Sequence, residues 1–337
     1  MQTVYDHITA NNRKTWLLLL LFPTVLSLLT ILATVLAFYA MGDLRFAAHF
    51  VTPHQEFLLS HNIAITAGNV YWLAGGFFIA SYLPFVFGTA ITWMLISYFF
   101  GDTMMLSFAH ALPLQKQEKP QVYRLVENVA IAAGLPMPKV YIVDDESLNA
   151  FATGRDPKHA SIALTTGIIA KLEPLELEGV IAHEMAHIGN RDIRLNMMII
   201  TGLSVFAFLA EMIGRSLRYS TSSSKDSGKF KILLLAIMLA LLVFNFFVAP
   251  IIQMAISRAR EYAADATGAL ITRNPQALAS ALQKISADAR VEILDGKKTM
   301  STACIADPRE PKAAFQSMLA THPPIRIRIK RLMEMGG

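Results

Sequence analysis

The chain has 337 residues, 54% of them hydrophobic and only 16% charged, with a mean hydropathy of +0.43. A water-soluble domain carries about 25% charged residues, so this composition speaks against an ordinary soluble enzyme and for membrane insertion. The net charge of +5 comes without a Lys/Arg stripe or aromatic–basic interleaving, which excludes a nucleic-acid binder, and the single cysteine, Cys304, excludes an intrachain disulfide and a cysteine-built zinc cage.

A polar N-terminus, 1–14, leads into an apolar, uncharged stretch at 15–41, and a second such stretch runs over 72–100. Each exceeds the roughly 20 residues needed to cross a bilayer, and the first is too long for a cleavable signal peptide. Pro84 lies inside the second, where a transmembrane helix tolerates it. Arg13 and Lys14 precede the first span, Arg45 is the one basic residue of 42–71, and Lys116, Lys119 and Arg124 follow the second span. The positive-inside tendency therefore predicts an internal N-terminus, an external loop at 42–71, and everything from 101 onward inside. His49, His54 and His61 in that loop fit no common metal-binding spacing and read as ordinary loop histidines.

The segment 101–194 reads as the first part of a catalytic domain. Val122, Leu125, Val126, Val129 and Ala130 share one face of an amphipathic helix over 119–133, ended by Gly134-Leu135-Pro136. Short extended runs follow at 140–143, 149–154 and 161–165. Next comes His183-Glu184-Met185-Ala186-His187 on a predicted helix that begins near Glu173. Residues four apart share a helix face, so both imidazoles can reach one metal ion, with Glu184 beside them to activate a water on that metal. Asp192, five residues past His187, falls off that face and reads as structural.

Two further hydrophobic stretches occupy 195–213 and 232–256, joined by a Ser-rich, basic connector. If the pair crosses the membrane, the connector lies outside, against the positive-inside tendency; otherwise the pair forms a hairpin on the domain or in one leaflet. Either way 194 and 257 lie on the same side. On continuous helices, Leu195 would lie about 12 Å from His187 and Ile256 about 7.5 Å from Glu261, which would put the metal near the membrane surface.

The last segment, 257–337, must supply the remaining ligand, because catalytic zinc takes three protein ligands and keeps a fourth position open. A third histidine six residues past His187 is excluded, since Ile193 stands there. Glu261 is the candidate, with Asp265 one turn on to accept the remaining ring N–H of a ligand histidine. The plain alternative is a charged helix in which Arg258 and Arg260 pair with Glu261 and Asp265. The whole reads as α+β: a mainly helical domain with a small sheet, anchored by N-terminal transmembrane helices.

His183-Glu184-x-x-His187 with Asp192, and Ser257-Arg258-x-Arg260-Glu261-Tyr262-x-Ala264-Asp265, resemble the M48 metallopeptidases. Asn149-Ala150-Phe151-Ala152-Thr153-Gly154, Thr165-Thr166-Gly167, Thr321-His322-Pro323-Pro324 and the N-terminal Tyr5-x-His7-Ile8 ahead of Asn12-Arg13-Lys14 narrow the resemblance to the HtpX-like branch. The long 42–71 loop departs from that pattern. The resemblance implies a gluzincin-type fold and a multi-pass protease of the bacterial inner membrane, with its active site facing the cytoplasm. It implies one Zn²⁺ per chain held by His183, His187 and Glu261, with Glu184 as general base.

Unfolded or membrane-protein polypeptides would be its substrates and lipid its surroundings, in quality control under stress alongside other membrane proteases. By the same analogy His322 stabilises the oxyanion or caps the zinc at rest, and it is otherwise a plain loop histidine. Asn149, Ala150, Phe151, Ala152 and Thr153 would form an edge strand that binds extended substrate, or else simply a core strand. The alternatives are a Ste24-like processing protease, which has more spans, and a catalytically latent scaffold or chaperone. A transporter would concentrate ionisable residues inside its spans, and a structural zinc site would be closed by four ligands.

Overall fold

The computed structural model describes residues 4–41, 44–66, 68–219, scattered positions between 231 and 244, 258–286, 305 and 323–335. The chain divides into two units. One comprises Met1–Trp16, Ile96–Ser204 and Val248–Gly337, the other Leu17–Leu95 and Val205–Phe247.

The second unit holds most of α1 (Val4–Met41), then α2 (Leu44–Val51), α3 (Gln55–Ser60) and most of α4 (Val70–Phe108). The stretch expected as a loop between the first two spans thus contains two short helices. The cause is apolar spacing: Ala47 and Val51 are one turn apart and are buried with Leu58, Val70 and Ala74. His54 stacks on Phe77 with ring centroids 4.0 Å apart, so this histidine serves local packing. On α4, Trp72 is 76% and Phe85 73% exposed, a display that suits lipid and not water. Among the described residues, the stretches Val70–Phe108 and Asp192–Arg218 are long and apolar enough to cross a membrane.

The first unit is α+β. A four-stranded mixed sheet has the order β1-β2-β4-β3. Its strands are β1 (Leu112–Pro113), β2 (Lys139–Val143), β3 (Ala150–Gly154) and β4 (Ala160–Thr165). β2 runs parallel to β4, while β1 and β3 pair antiparallel with their neighbours, and β3 is an edge strand. α5 (Pro120–Ala132) lays Val122, Val126, Val129 and Ala130 into the core, as its spacing predicts. α6 (Thr166–Lys171) then leads into α7 (Pro174–Gly189), which carries the H-E-x-x-H motif.

α7 is buried along nearly its whole length, with Leu177, Val180, Ile181, Met185 and Ile188 in the shared core. Pro174 opens it where a missing N–H costs nothing, and the Glu173 N–H donates to Glu176 Oε2 at 2.8 Å. The same carboxylate accepts Ser280 Oγ at 2.6 Å and Lys284 Nζ at 2.7 Å, fastening α7 to α10 (Pro275–Ile285). α9 (Arg258–Thr272) and α11 (Ile325–Met335) complete the packing, with the Arg331 guanidinium 3.8 Å from the Tyr262 ring centre.

α7 does not continue into the next hydrophobic helix. Arg191, at φ 58°, breaks the chain after Asn190, and α8 (Asp192–Tyr219) sets off anew. The axial distance of about 12 Å from His187 to Leu195, which assumed one straight helix, therefore does not apply. The corresponding join ahead of Glu261, at 251–257, lies outside the described residues.

Candidate metal centre

The structure brings His183, His187 and Glu261 together, with one ligand atom from each lying within 4.8 Å of the others. His183 Nε2 is 3.2 Å from His187 Nε2, His187 Nε2 is 3.6 Å from Glu261 Oε1, and His183 Nε2 is 3.8 Å from Glu261 Oε2. Bonds of about 2.0–2.1 Å to a tetrahedral ion place neighbouring ligand atoms about 3.3 Å apart, so these spacings suit a zinc-sized ion. All three residues are buried, as is Glu184.

Two helices make this geometry, and one glycine lets them approach. A Cβ at Gly268 would lie 3.0 Å from the His183 backbone nitrogen and 3.2 Å from its Cα. The bare backbone of α9 can therefore lie against α7 at the first histidine, which puts Glu261, two turns earlier, opposite both imidazoles.

The outer ring nitrogens are held by carboxylates. His183 Nδ1 lies 2.9 Å from Asp265 Oδ1, and His187 Nδ1 is hydrogen-bonded to Asp192 Oδ2 at 2.9 Å. These partners direct both Nε2 lone pairs into the shared space. Two such lone pairs 3.2 Å apart repel unless a cation or proton lies between them. In the metal-free chain burial disfavours a charged His187, but the Asp192 hydrogen bond and the fields of Glu261, Asp192 and Glu184 outweigh it and push the ring up to about 9. Among the described residues of the site, Glu184, Asp192, Glu261 and Asp265 face the guanidiniums of Arg260 and Arg328, all of them buried. When ionised, the four buried carboxylates exceed the two buried guanidiniums by two negative charges, which the partly buried Lys14 beside Asp192 offsets in part and a bound cation would offset further.

Asp192 departs from its expected place. On a straight helix, a residue five past His187 points about 140° away from it. The break at Arg191 turns the chain so that Asp192 comes back against the His187 ring. Asp265 takes the predicted position on the His183 ring. An arginine does pair with it, as the charged-helix alternative required, but that arginine is Arg328 of α11. Its Nε and Nη2 donate to Asp265 Oδ2 and Oδ1 at 2.8 and 2.7 Å. Burial opposes ionisation of that carboxyl, but the Arg328 guanidinium prevails and holds it down at about 2. Arg328 also reaches within 3.4 Å of His183 Nε2 and 3.8 Å of Glu261 Oε2. Arg260 donates to Asp192 Oδ1 at 3.1 Å.

Nothing local in the sequence marks Arg328 or Asn11 as parts of this site. Arg328 sits in Ile325-Arg326-Ile327-Arg328, where basic residues alternate with apolar ones and look like any solvated face. Burial pushes Glu184 above the usual carboxylate range, the histidines and Arg328 opposing and Glu261 adding to it. A carboxylate poised closer to neutrality suits proton transfer at working pH. His322 lies outside the described residues.

Of Asn149, Ala150, Phe151, Ala152 and Thr153, the outer edge of β3 is already used in part. Asn149 O accepts from Thr165 N, which makes this a hydrogen-bonded pair facing β4. By alternation Phe151 and Thr153 also face β4, while Ala150, Ala152 and Gly154 turn their backbone groups outward. The Ala150 N–H goes to Asn149 Oδ1 at 2.9 Å, and its carbonyl accepts from Ile305 N at 3.0 Å. Within the expected five, and among the described residues, Ala152 is the one whose outward backbone groups carry no hydrogen bond.

The chain is similar to known proteins over most of its length. The model of peptidase family M48 matches residues 116–336. A protease HtpX homolog of Tropheryma whipplei (strain TW08/27) is 40% identical, over 84% of this chain and 96% of the relative. Another, from Bacteroides fragilis (strain YCH46), is 37% identical over 95% of this chain and 94% of its own length. A third, from Streptococcus pneumoniae (strain Hungary19A-6), is 34% identical over 98% and 100%. Among solved structures, the crystal structure of S. mikatae Ste24p matches with a TM-score of 0.44 and 21% identity, over 75% of this chain and 58% of that one.

Proposed function

This chain belongs to peptidase family M48, and from that premise we propose that it is a membrane-bound zinc endopeptidase acting on misfolded or damaged membrane proteins. The observation that carries the proposal is the convergence of His183, His187 and Glu261, each histidine backed by a carboxylate, beside a buried Glu184. His183, His187 and Glu261 would hold the ion. When bound, zinc supplies Lewis acidity, making water more acidic and a carbonyl more electrophilic. Glu184 takes a proton from the attacking water and returns it to the leaving amine, a role its raised proton affinity supports.

Ala152 would pair with the backbone of an extended substrate, which gives loose sequence specificity suited to quality control. His322 would donate to the developing oxyanion. The basic residues ahead of the first span and after the second support a multi-pass protein of the bacterial inner membrane with this centre in the cytoplasm.

The test uses full-length protein purified in mild detergent with a chelator, as wild type and as Glu184→Gln. Zinc is added, bound zinc is counted, and cleavage of casein is followed. Wild type should bind one zinc and cleave, and Glu184→Gln should bind one zinc and lose about 10²–10⁴-fold in rate. Zinc without cleavage in either form would sink the endopeptidase and favour a latent scaffold. No zinc in either would sink the metal centre.

A further inference from the structure

The polar turn ahead of the first apolar stretch is not accounted for by the proposed chemistry, yet it is buried in the metal-bearing unit. Asn11 is only 2% exposed. Its Nδ2 donates to Asp192 Oδ1 at 2.7 Å and to the Asn190 carbonyl at 3.0 Å. The next residue, Asn12, accepts from Arg194 Nη2. Thr15 Oγ1 donates back to the Asn11 carbonyl at 2.9 Å, tying the turn to itself. Lys14 is partly buried beside the same group. Burial first, and then the Arg260 guanidinium, push its ammonium below the usual lysine range, with Asp192 partly offsetting them.

Asp192 is the hub of these contacts. Its Oδ2 holds His187 Nδ1, while its Oδ1 accepts from both Asn11 and Arg260. Arg260 is the residue before Glu261. Without Asn11, the carboxylate would keep His187 on one oxygen and Arg260 on the other, and would lose its third contact. Asn11 takes the lone pair that Arg260 leaves, and it also fixes the Asn190 carbonyl just before the break at Arg191.

We infer that Asn11 is a positioning residue of the metal centre, acting through Asp192 on His187, so that the start of the first hydrophobic helix is part of the zinc site and not only an anchor. The inference rests on the zinc reading proposed above. Partners one step behind a ligand typically change metal affinity by about 10–100-fold when removed. Asn11 stands one step further back, so its loss should fall near the lower end of that range. Substrate affinity should be unaffected, because Asn11 touches no group assigned to substrate.

The experiment uses full-length chain in detergent as wild type, His187→Ala, Asn11→Leu, Asp192→Asn and the Asn11→Leu/Asp192→Asn double variant. Zinc affinity is read by competition with a chelator, and Co²⁺ loading by its visible spectrum. Wild type binding one ion, and His187→Ala losing it, establishes the site independently of Asn11. Asn11→Leu should then bind zinc about tenfold more weakly with an altered Co²⁺ spectrum, and lower kcat with KM unchanged. The double variant should be no weaker than Asp192→Asn alone, since Asn11 acts only through Asp192.

Asn11→Ser, which keeps a short donor, should recover part of the affinity and covers the case in which leucine disturbs folding. Wild-type affinity and spectrum in both Asn11 variants would overturn the inference and leave the site standing. Additive losses in the double variant would overturn the route through Asp192. Absence of metal from wild type would overturn both the site and the inference.

Discussion

At the scale of single residues, the centre depends on groups that hold other groups. Arg328 is fully buried and makes a bidentate pair with Asp265 while facing Glu261 and His183. Arg328→Met should strand the Asp265 charge, a change that costs about 3–5 kcal/mol in buried pairs. The apparent Tm in detergent should fall by about 10 °C. Arg328→Lys keeps the charge but not the two-pronged contact and should fall in between. A Tm for Arg328→Met within about 1 °C of wild type would show that the pair is dispensable. The Asp265 carboxyl, held at about 2 against an ordinary 3.8, contributes stability above about pH 4 that is lost as pH falls through about 2.

His187 runs the opposite way. Its ring lies at about 9 against an ordinary 6.5, so in metal-free protein the protonated ring stabilises the fold below about 6.5 and that contribution is lost as pH rises through about 9. Zinc needs the same Nε2 lone pair, so binding displaces that proton. Apparent zinc affinity should climb about tenfold per pH unit up to about 9 and then level off. Competition titrations at pH 6.5, 7.5 and 8.5 check this, and a flat profile would mean that His187 is already neutral.

At the scale of elements, two effects of opposite sign meet at Gly268. Replacing a helical glycine by alanine favours the helix by about 1 kcal/mol. Here the new Cβ would meet the His183 backbone at 3.0–3.2 Å, backbone that cannot swing aside, and overpacking costs about 1–3 kcal/mol. Gly268→Ala should therefore lower Tm and, by pushing α9 off α7, weaken zinc binding. A raised Tm would mean that helix propensity wins and the close approach is not what sets Glu261 in place.

The elements themselves were largely legible. Short strands at 140–143 and 161–165, the amphipathic α5 and the H-E-x-x-H helix all follow from local periodicity, and Glu261 with Asp265 follows from i, i+4 spacing. Asp192 was misplaced because one positive-φ residue, Arg191, changes which face the next side chain takes, and no local pattern marks an arginine for that conformation. Arg328 and Asn11 were missed because they reach the centre from α11 and from the N-terminus. Such pairings, 63 residues apart for Arg328 with Asp265 and 181 for Asn11 with Asp192, leave no mark on nearby sequence.

At the scale of the whole molecule, composition indicated the membrane, and charge asymmetry implies an orientation. Arg13 and Lys14 stand before the first apolar stretch, Lys116, Lys119 and Arg124 after the second, and Arg45 alone between them. Basic residues resist translocation, so both flanks should stay in the cytoplasm and 42–71 should face outward. The helices α2 and α3 found there do not alter the argument, which counts charges near the span ends. Glu56 on α3 and Lys139 at the start of β2 are both exposed, and Cys304 is the one native thiol. In a Cys304→Ser background, Glu56→Cys should react with a membrane-impermeant maleimide added to cells whose outer barrier is permeabilised but whose inner membrane is intact. Lys139→Cys should react only after that inner membrane is broken. The reverse pattern would place the metal centre outside, against a cytoplasmic role, and labelling of both in intact cells would leave 72–100 without a crossing.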